Sequence, residues 1–155
     1  MTADRRRKAA IHAHQKATGL PYMVARRQVN DLDAVMQRHP LLNDFGIGVF
    51  EPFRKTAEQR RAELDSDRES LLAGVGKVWE TVAWLSQNIA PIKTPTVSSY
   101  GVKHVMERAT GTYVTNGEFI AAALLADYTF TYHQHNVLFG MSGRDLKRVT
   151  EASRR

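Results

Sequence analysis

The stretch Thr112–Tyr128, TYVTNGEFIAAALLADY, decides how the rest of the chain is read. It opens polar and then turns almost wholly apolar. The opening can be a ligand-binding loop or the cap of a buried helix, and the spacing favours the cap. Thr115 and Glu118 stand three apart, so the Thr hydroxyl can accept the N–H of Glu118 while the Glu carboxylate returns to the N–H of Thr115. Val114 and Phe119 flank that cap as a hydrophobic staple. The run FIAAALLA is apolar on all sides, which predicts a helix covered on most faces. Its alanines let neighbouring helices come close.

Outward from this helix, Tyr100 to about Thr110 is predicted helical and Gly111 stops it. On the C-terminal side YTFTYH alternates aromatic and polar residues, a strand pattern, and VLFG can pair with it across HQHN. Ser142 and Asp145 repeat the capping spacing ahead of a short last helix. Ala90–Ser99 has two prolines and no stripe, so it is expected to be a linker. From Thr56 to about Ile89, Leu64, Leu71, Val75, Val78, Val82, Leu85 and Ile89 fall on a heptad-like seam whose upstream positions are Arg61 and Arg68. One bent helix, or two helices broken at Asp65-Ser66-Asp67, both satisfy that pattern.

LLNDFGIGVFEPF, Leu41–Phe53, carries two glycines and a proline and reads as an ordered loop with apolar anchors. Upstream lies a helical hairpin. Its first helix spans about 3 to 18, capped by Thr2 or Asp4 and stopped by Gly19. Its second runs from Pro21 to about Arg38, with Tyr22, Ala25, Val29, Leu32 and Met36 as one apolar stripe. The expected fold is therefore mainly α, with helical hairpins, a long amphipathic helix and a small β-hairpin near the C-terminus. The expected organisation is a basic helical region over 1–90, a linker over 91–99 and a compact unit over 100–155.

Composition narrows the partner. With 155 residues and 43% hydrophobic content, the chain can bury the core of one domain. It has no cysteine, which excludes disulfides and thiolate chemistry and fits a reducing, cytoplasmic setting. No apolar run approaches the roughly 18–20 residues of a membrane span, and the basic N-terminus lacks the apolar core of a secretory signal. The net charge is +6, unevenly placed. Residues 1–61 hold 12 basic and 6 acidic side chains, residues 62–91 hold 2 and 5, and residues 92–155 hold 8 and 5. Such a field attracts polyanions, nucleic acid before anionic membranes or acidic proteins.

Motifs for catalysis are missing. There is no G-x-S-x-G, H-E-x-x-H or phosphate-loop signature. The G-x-G-K at Gly74–Lys77 lies inside a helical stripe with no strand before it, where a phosphate loop has no free N–H groups. His12 and His14 point apart on a helix. His133 and His135 share a strand face but find no further ligands, so they read as turn histidines. Asp65, Asp67 and Glu69 read as a solvated acidic face. No enzyme activity, metal or cofactor is expected.

The remaining signal is basic. Arg5, Arg6, Arg7 and Lys8 open the first helix, Arg26 and Arg27 lie off the apolar stripe of the second, and Arg54, Lys55, Arg60 and Arg61 begin the long helical stretch. These are the expected nucleic-acid contacts. A helix-turn-helix would set its second helix in a major groove, although Gln15 stands where that motif has a small residue. Hairpins that hold only a backbone share the pattern.

HAHQKATGLPYMVARRQV resembles a helical hairpin near the start of many actinobacterial plasmid and phage proteins. SSYGVKHVMERATGTYVTNGEFIAAALL resembles a segment of phage- and plasmid-encoded proteins with Ser-Tyr-Gly, Lys-His and Tyr-Val-x-Asn-Gly elements. The resemblance implies a mobile-element context. A small, basic, helical protein there is similar in kind to the small subunits of CRISPR effector complexes, which line guide and target strands. The expectation is thus a non-catalytic backbone-binding protein, DNA or RNA, within a larger nucleoprotein assembly. The alternatives are a helix-turn-helix regulator, or a phage or plasmid protein that binds and inhibits another protein.

Overall fold

A computed structural model describes residues 2–155. Among them are seven α-helices: α1 (Ala3–Thr18), α2 (Tyr22–Arg38), α3 (Ala57–Ala73), α4 (Val75–Asn88), α5 (Ser99–Thr110), α6 (Asn116–Leu125) and α7 (Gly143–Ser153). The strands are β1 (Leu42–Asn43), β2 (Gly46–Ile47), β3 (Val97–Ser98), β4 (Phe130–His133) and β5 (Asn136–Phe139), and a 3-10 turn covers Pro52–Arg54. The chain is mainly α, with the C-terminal β-hairpin that the alternating residues predict.

Helix α6 sits at the centre. Phe119, Ile120, Ala121, Ala122 and Ala123 are all fully buried. Burying Phe119 alone contributes about 3 kcal/mol. The capping box forms as spaced: Glu118 N–H donates to Thr115 Oγ1 at 3.0 Å, and Thr115 N–H donates to Glu118 Oε1 at 2.8 Å. Val114 is buried beside it. The alanine face allows α6 to lie along α4 and touch α2 and α5, and Phe119 meets Phe139 of β5 edge-on at 6.5 Å.

The α1–α2 hairpin turns at Gly19, whose φ of 70° is the left-handed conformation that glycine adopts freely. Ala25, Val29, Leu32, Val35 and Met36 are buried as one stripe. Tyr22 departs from the expected stripe: it is 40% exposed and lies against the His12 ring at 5.9 Å. His14 is buried and cross-links the two helices, its Nε2 2.7 Å from Gln28 Oε1. Trp79 of α4 donates from Nε1 to the Gln28 carbonyl at 3.1 Å.

The stretch from 57 to 88 is two helices, broken at Gly74 rather than at Asp65-Ser66-Asp67. Asp65 and Ser66 stay helical on a solvent-exposed face that tolerates them, and Asp67 is half-buried, its carbonyl accepting from Asp44 N–H at 3.1 Å. At Gly74 a Cβ would overlap the Glu118 carboxylate, so the buried end of the capping box needs a residue without a side chain there. Glycine also weakens helix continuity. The charged half of the seam has its own logic. Arg68 donates from Nη1 to the carbonyls of His39, Pro40 and Leu42 at 3.2, 3.0 and 2.7 Å, and from Nη2 to that of Met36 at 3.0 Å. It thereby satisfies the open C-terminal end of α2.

Residues 91–99, read from composition as a linker, are tied down along their length. Ile92 N–H donates to the Gly140 carbonyl at 2.9 Å and Thr96 N–H to that of Phe139 at 3.1 Å. β3 pairs antiparallel with β5, Val97 opposite Phe139, giving a sheet of order β3-β5-β4. One hydrophobic cluster includes residues from both sides of this segment. Leu41–Phe53, expected as loop only, contains the small β1–β2 hairpin, and Ile47 N–H donates to the His135 carbonyl at 2.9 Å. That bond joins it to the turn of the C-terminal hairpin.

Candidate nucleic-acid interface

The ten basic residues expected to contact nucleic acid fall in three places. At the start of α1, Arg7 and Lys8 both pair with Asp4, at 2.9 and 3.4 Å, and Arg6 pairs with Glu69 of α3 at 3.3 Å. Arg5 is exposed and has no ion-pair partner among the described residues. Arg26 and Arg27 are exposed and likewise unpaired among the described residues. The antiparallel hairpin keeps these two groups apart. His14 lies level with Gln28, so Arg5–Lys8 sit roughly 10 Å further along α1, at about 1.5 Å per residue. Arg6 and Glu69 anchor that end to α3.

The third group surrounds a concave surface of about 800 Å³ lined by Phe45, Phe50, Phe53, Arg60, Arg61 and Leu64. Phe53 is 80% exposed and Phe50 56%. Phe45 meets Phe50 edge-on at 5.7 Å. The Arg54 guanidinium carbon lies 6.0 Å from the centre of the Phe53 ring, and Lys55 Nζ lies 5.7 Å from that of Phe50. Two of the four basic residues build the surface. Arg60 Nη1 donates to the Lys55 and Pro52 carbonyls at 2.7 and 3.1 Å. Lys55 pairs with Glu63 at 2.6 Å and donates to the Phe50 carbonyl. The other two face solvent. Arg61 is exposed, and the exposed Arg54 pairs with Glu51 at 3.5 Å. Glu51 has φ 45°, an uncommon backbone conformation for a non-glycine residue, which turns the chain into Pro52–Arg54.

The aromatic half of this surface was not read as a site in the sequence. The signal was present in LLNDFGIGVFEPF, where several large apolar residues crowd a glycine- and proline-bearing loop. A loop of that kind cannot bury them all.

Phe45 also stacks on His135, at 5.2 Å and 21° between planes. Both residues line a second cleft of about 500 Å³ as well. There the Ser-Tyr-Gly, Lys-His and Tyr-Val-x-Asn-Gly elements converge, through Tyr100, Lys103, His104, Tyr113 and Asn116. Lys103 is only 4% exposed, pairs with Glu107, and holds its ammonium 4.7 Å from the centre of the Tyr113 ring. His104 Nδ1 lies 3.2 Å from Glu107 Oε2, and Tyr100 packs edge-on against the imidazole at 4.4 Å. Burial opposes ionisation of Glu107, but the Lys103 ammonium outweighs it and holds that carboxyl below its ordinary range. Asn116 Nδ2 donates to Asn136 Oδ1 at 2.9 Å and to the Phe45 carbonyl at 3.3 Å. A Cβ at Gly117 would overlap the Asn43 carbonyl, so β1 and α6 touch backbone to backbone.

The opposite wall is acidic. Asp44 Oδ1 accepts from the Thr115 hydroxyl at 2.8 Å. Asp67 lies close by, joined to Asp44 through the backbone: Asp44 N–H donates to the Asp67 carbonyl at 3.1 Å. Burial, with the neighbouring charges of Glu63 and Asp44, pushes the Asp67 carboxyl up. Asp67 is therefore not part of a simple solvated face, and Glu69, paired with Arg6, is not free either.

No protein-family model, curated protein or solved structure matches the chain. Among the described residues, no three histidine or carboxylate side chains are grouped to hold a metal ion, and no helix is long and apolar enough to cross a membrane.

Proposed function

We infer that the protein binds single-stranded nucleic acid without strong sequence preference, on the surface around Phe50, Phe53, Arg54 and Arg61. One observation carries this reading. Phe53 stands 80% exposed in a concave surface with arginines on its rim. A large aromatic left in water costs solvation free energy unless a partner covers it, and nucleobases stack on such rings regardless of sequence. The exposed Arg54 and Arg61 supply phosphate pairing at the same place, and the +6 net charge supports attraction from a distance. The role that fits is non-catalytic: a small subunit of a larger nucleoprotein assembly, in the mobile-element setting that the resemblance implies.

The test is binding of labelled oligo(dT), oligo(U) and a mixed duplex at several salt concentrations. Both single strands should bind, more tightly than the duplex, with affinity falling steeply as salt rises. Phe53→Ala should lose about 1–3 kcal/mol of binding with unchanged melting. Absence of binding to any of the three at low salt overturns the reading.

A second reading has its own support. Arg26, Arg27 and Met23 project from the first turns of α2, Met23 being 66% exposed. In a helix-turn-helix those positions reach base edges. Tight binding of one duplex sequence, lost in Arg26→Ala/Arg27→Ala, would favour a regulator.

A further inference from the structure

The groove between α1 and the junction of α3 with α4 takes no part in strand binding. Its walls are small and apolar, with Ala9, Ala13 and Ala17 on one side and Leu72, Ala73 and Val75 on the other. They enclose about 670 Å³, which is of small-ligand size. α1 runs parallel to α3 and α4 here, since Arg6 pairs with Glu69 and His14 faces Gly76. Between Arg6 and Thr18 the groove extends roughly 18 Å, at about 1.5 Å per residue.

Alanines alone select no ligand, but His14 does. It lines the groove and is only 5% exposed. Its Nε2 lies 2.7 Å from Gln28 Oε1, an atom that can only accept, so the neutral ring carries its proton on Nε2 and its lone pair on Nδ1. Nδ1 has no hydrogen-bond partner among the described residues, and an unpaired acceptor on a buried ring is costly. The open edge of the ring looks towards Gly76. A Cβ on that residue would stand 3.8 Å from His14 Cε1 and 3.9 Å from Nδ1, ordinary contact distances. Alanine would therefore fit at 76 and would favour the helix more than glycine does. Unlike Gly74, which the Glu118 carboxylate requires, Gly76 has no packing or backbone need for a missing side chain. What its absence does is keep the space in front of Nδ1 clear.

The other polar groups of the groove are already engaged. Arg6 and Glu69 pair with each other at one end. Lys77 directs its ammonium to the Tyr113 carbonyl, outside the groove, at 2.8 Å. The Thr18 hydroxyl donates to the His14 carbonyl at 2.7 Å. An anion would meet the Nδ1 lone pair, and a cation would be left among carbon walls. A neutral apolar body with one donor meets neither obstacle. We propose that this groove binds a neutral, apolar hydroxyl compound, a phenol or an alkyl alcohol, whose O–H donates to His14 Nδ1.

The test is calorimetric titration of the full chain at pH 8 with matched probes. These are 4-butylphenol, its methyl ether 4-butylanisole and the anion 4-butylbenzoate, with 1-octanol and its methyl ether as the aliphatic pair. At least one hydroxyl compound should bind about tenfold more tightly than its own ether, and the tighter of the two tells a phenolic ligand from an aliphatic one. On adding it, the His14 Nδ1 nitrogen signal should move upfield in NMR, as an imidazole nitrogen does when it accepts a hydrogen bond. Gly76→Ala should melt no lower than the parent and weaken that binding at least tenfold. Ala13→Leu, filling the groove from the α1 side, should weaken it as well. Equal affinity for each hydroxyl compound and its ether, tighter binding of the benzoate, or unchanged affinity in both filled variants overturns the proposal. The comparison of probes is made on the parent protein, so it decides the matter even if a variant fails to fold.

Discussion

The Thr115 hydroxyl makes two hydrogen bonds of different kinds. It accepts from Glu118 N–H at 3.0 Å, closing the cap of α6, and donates to Asp44 Oδ1 at 2.8 Å. The first is local and follows from a three-residue spacing, which is why the cap was legible in the sequence. The second joins residues 71 apart, and nothing in local spacing points to it. Thr115→Ala therefore removes more than a cap. It should cost about 2 kcal/mol, roughly 1 for the cap and a further 1 for the hydroxyl bond to a charged partner. Thr115→Ser should recover most of that loss. Urea denaturation of the three proteins checks it, and a loss of 0.5 kcal/mol or less in the alanine variant would mean that Asp44 contributes nothing to the cap. Asp67 shows the same limit of local reading. In sequence it is one acid of three on a helix face, and its position in the cleft depends on Asp44, which the β1–β2 hairpin brings alongside.

At the level of elements, helix starts were legible and helix ends were less so. N-caps are short-range: Thr2, Thr115 and Ser142 accept from backbone N–H groups three residues on. The ends of α2 and α4 are instead closed from far away. Arg68 reaches the carbonyls that follow α2. The Tyr128 hydroxyl donates to the Leu85 and Ile89 carbonyls at the end of α4. Burial, together with the charge of Asp145, pushes the Tyr128 phenol up to about 12. The sign of the pH effect follows. An unfolded chain loses this proton near pH 10, whereas the folded protein keeps it until about pH 12. Between those values the native state binds more protons, so stability falls as pH rises. The contribution is complete below pH 10 and declines by about 2 kcal/mol by pH 12. Tyr128→Phe should cost about 1–2 kcal/mol at pH 7, since two carbonyls lose their donor. It should also decline less steeply than the parent between pH 10 and 12. Thermal melts across that range provide the measurement, and parallel curves for the two proteins would disprove the linkage.

Across the whole molecule, the helical class was readable because apolar spacing is a local property that survives any tertiary arrangement. The break at Gly74 was not, since it depends on Glu118, which arrives from α6. The basic residues could be counted but not placed. Charge alone cannot distinguish an arginine that props up a loop, as Arg60 does through two backbone carbonyls, from one left facing water, as Arg61 is. Arg5, Arg26 and Arg27 also face water, so the exposed aromatic rings beside Arg54 and Arg61 are what set the third group apart. If the strand lies over Phe50 and Phe53, only Arg54 and Arg61 are near its phosphates. The double variant Arg54→Ala/Arg61→Ala should weaken oligo(dT) binding and lower the magnitude of the salt slope by about 1.4, at roughly 0.7 per phosphate on a single strand. Melting should hardly change, because exposed pairs such as Arg54–Glu51 contribute ~0–1 kcal/mol. Arg26→Ala/Arg27→Ala should leave both slope and single-strand affinity close to those of the parent, since these two arginines do not line the concave surface around Phe53. The opposite pattern, a slope unchanged at Arg54 and Arg61 but reduced at Arg26 and Arg27, would move the strand to the hairpin and leave Phe53 exposed for a protein partner instead.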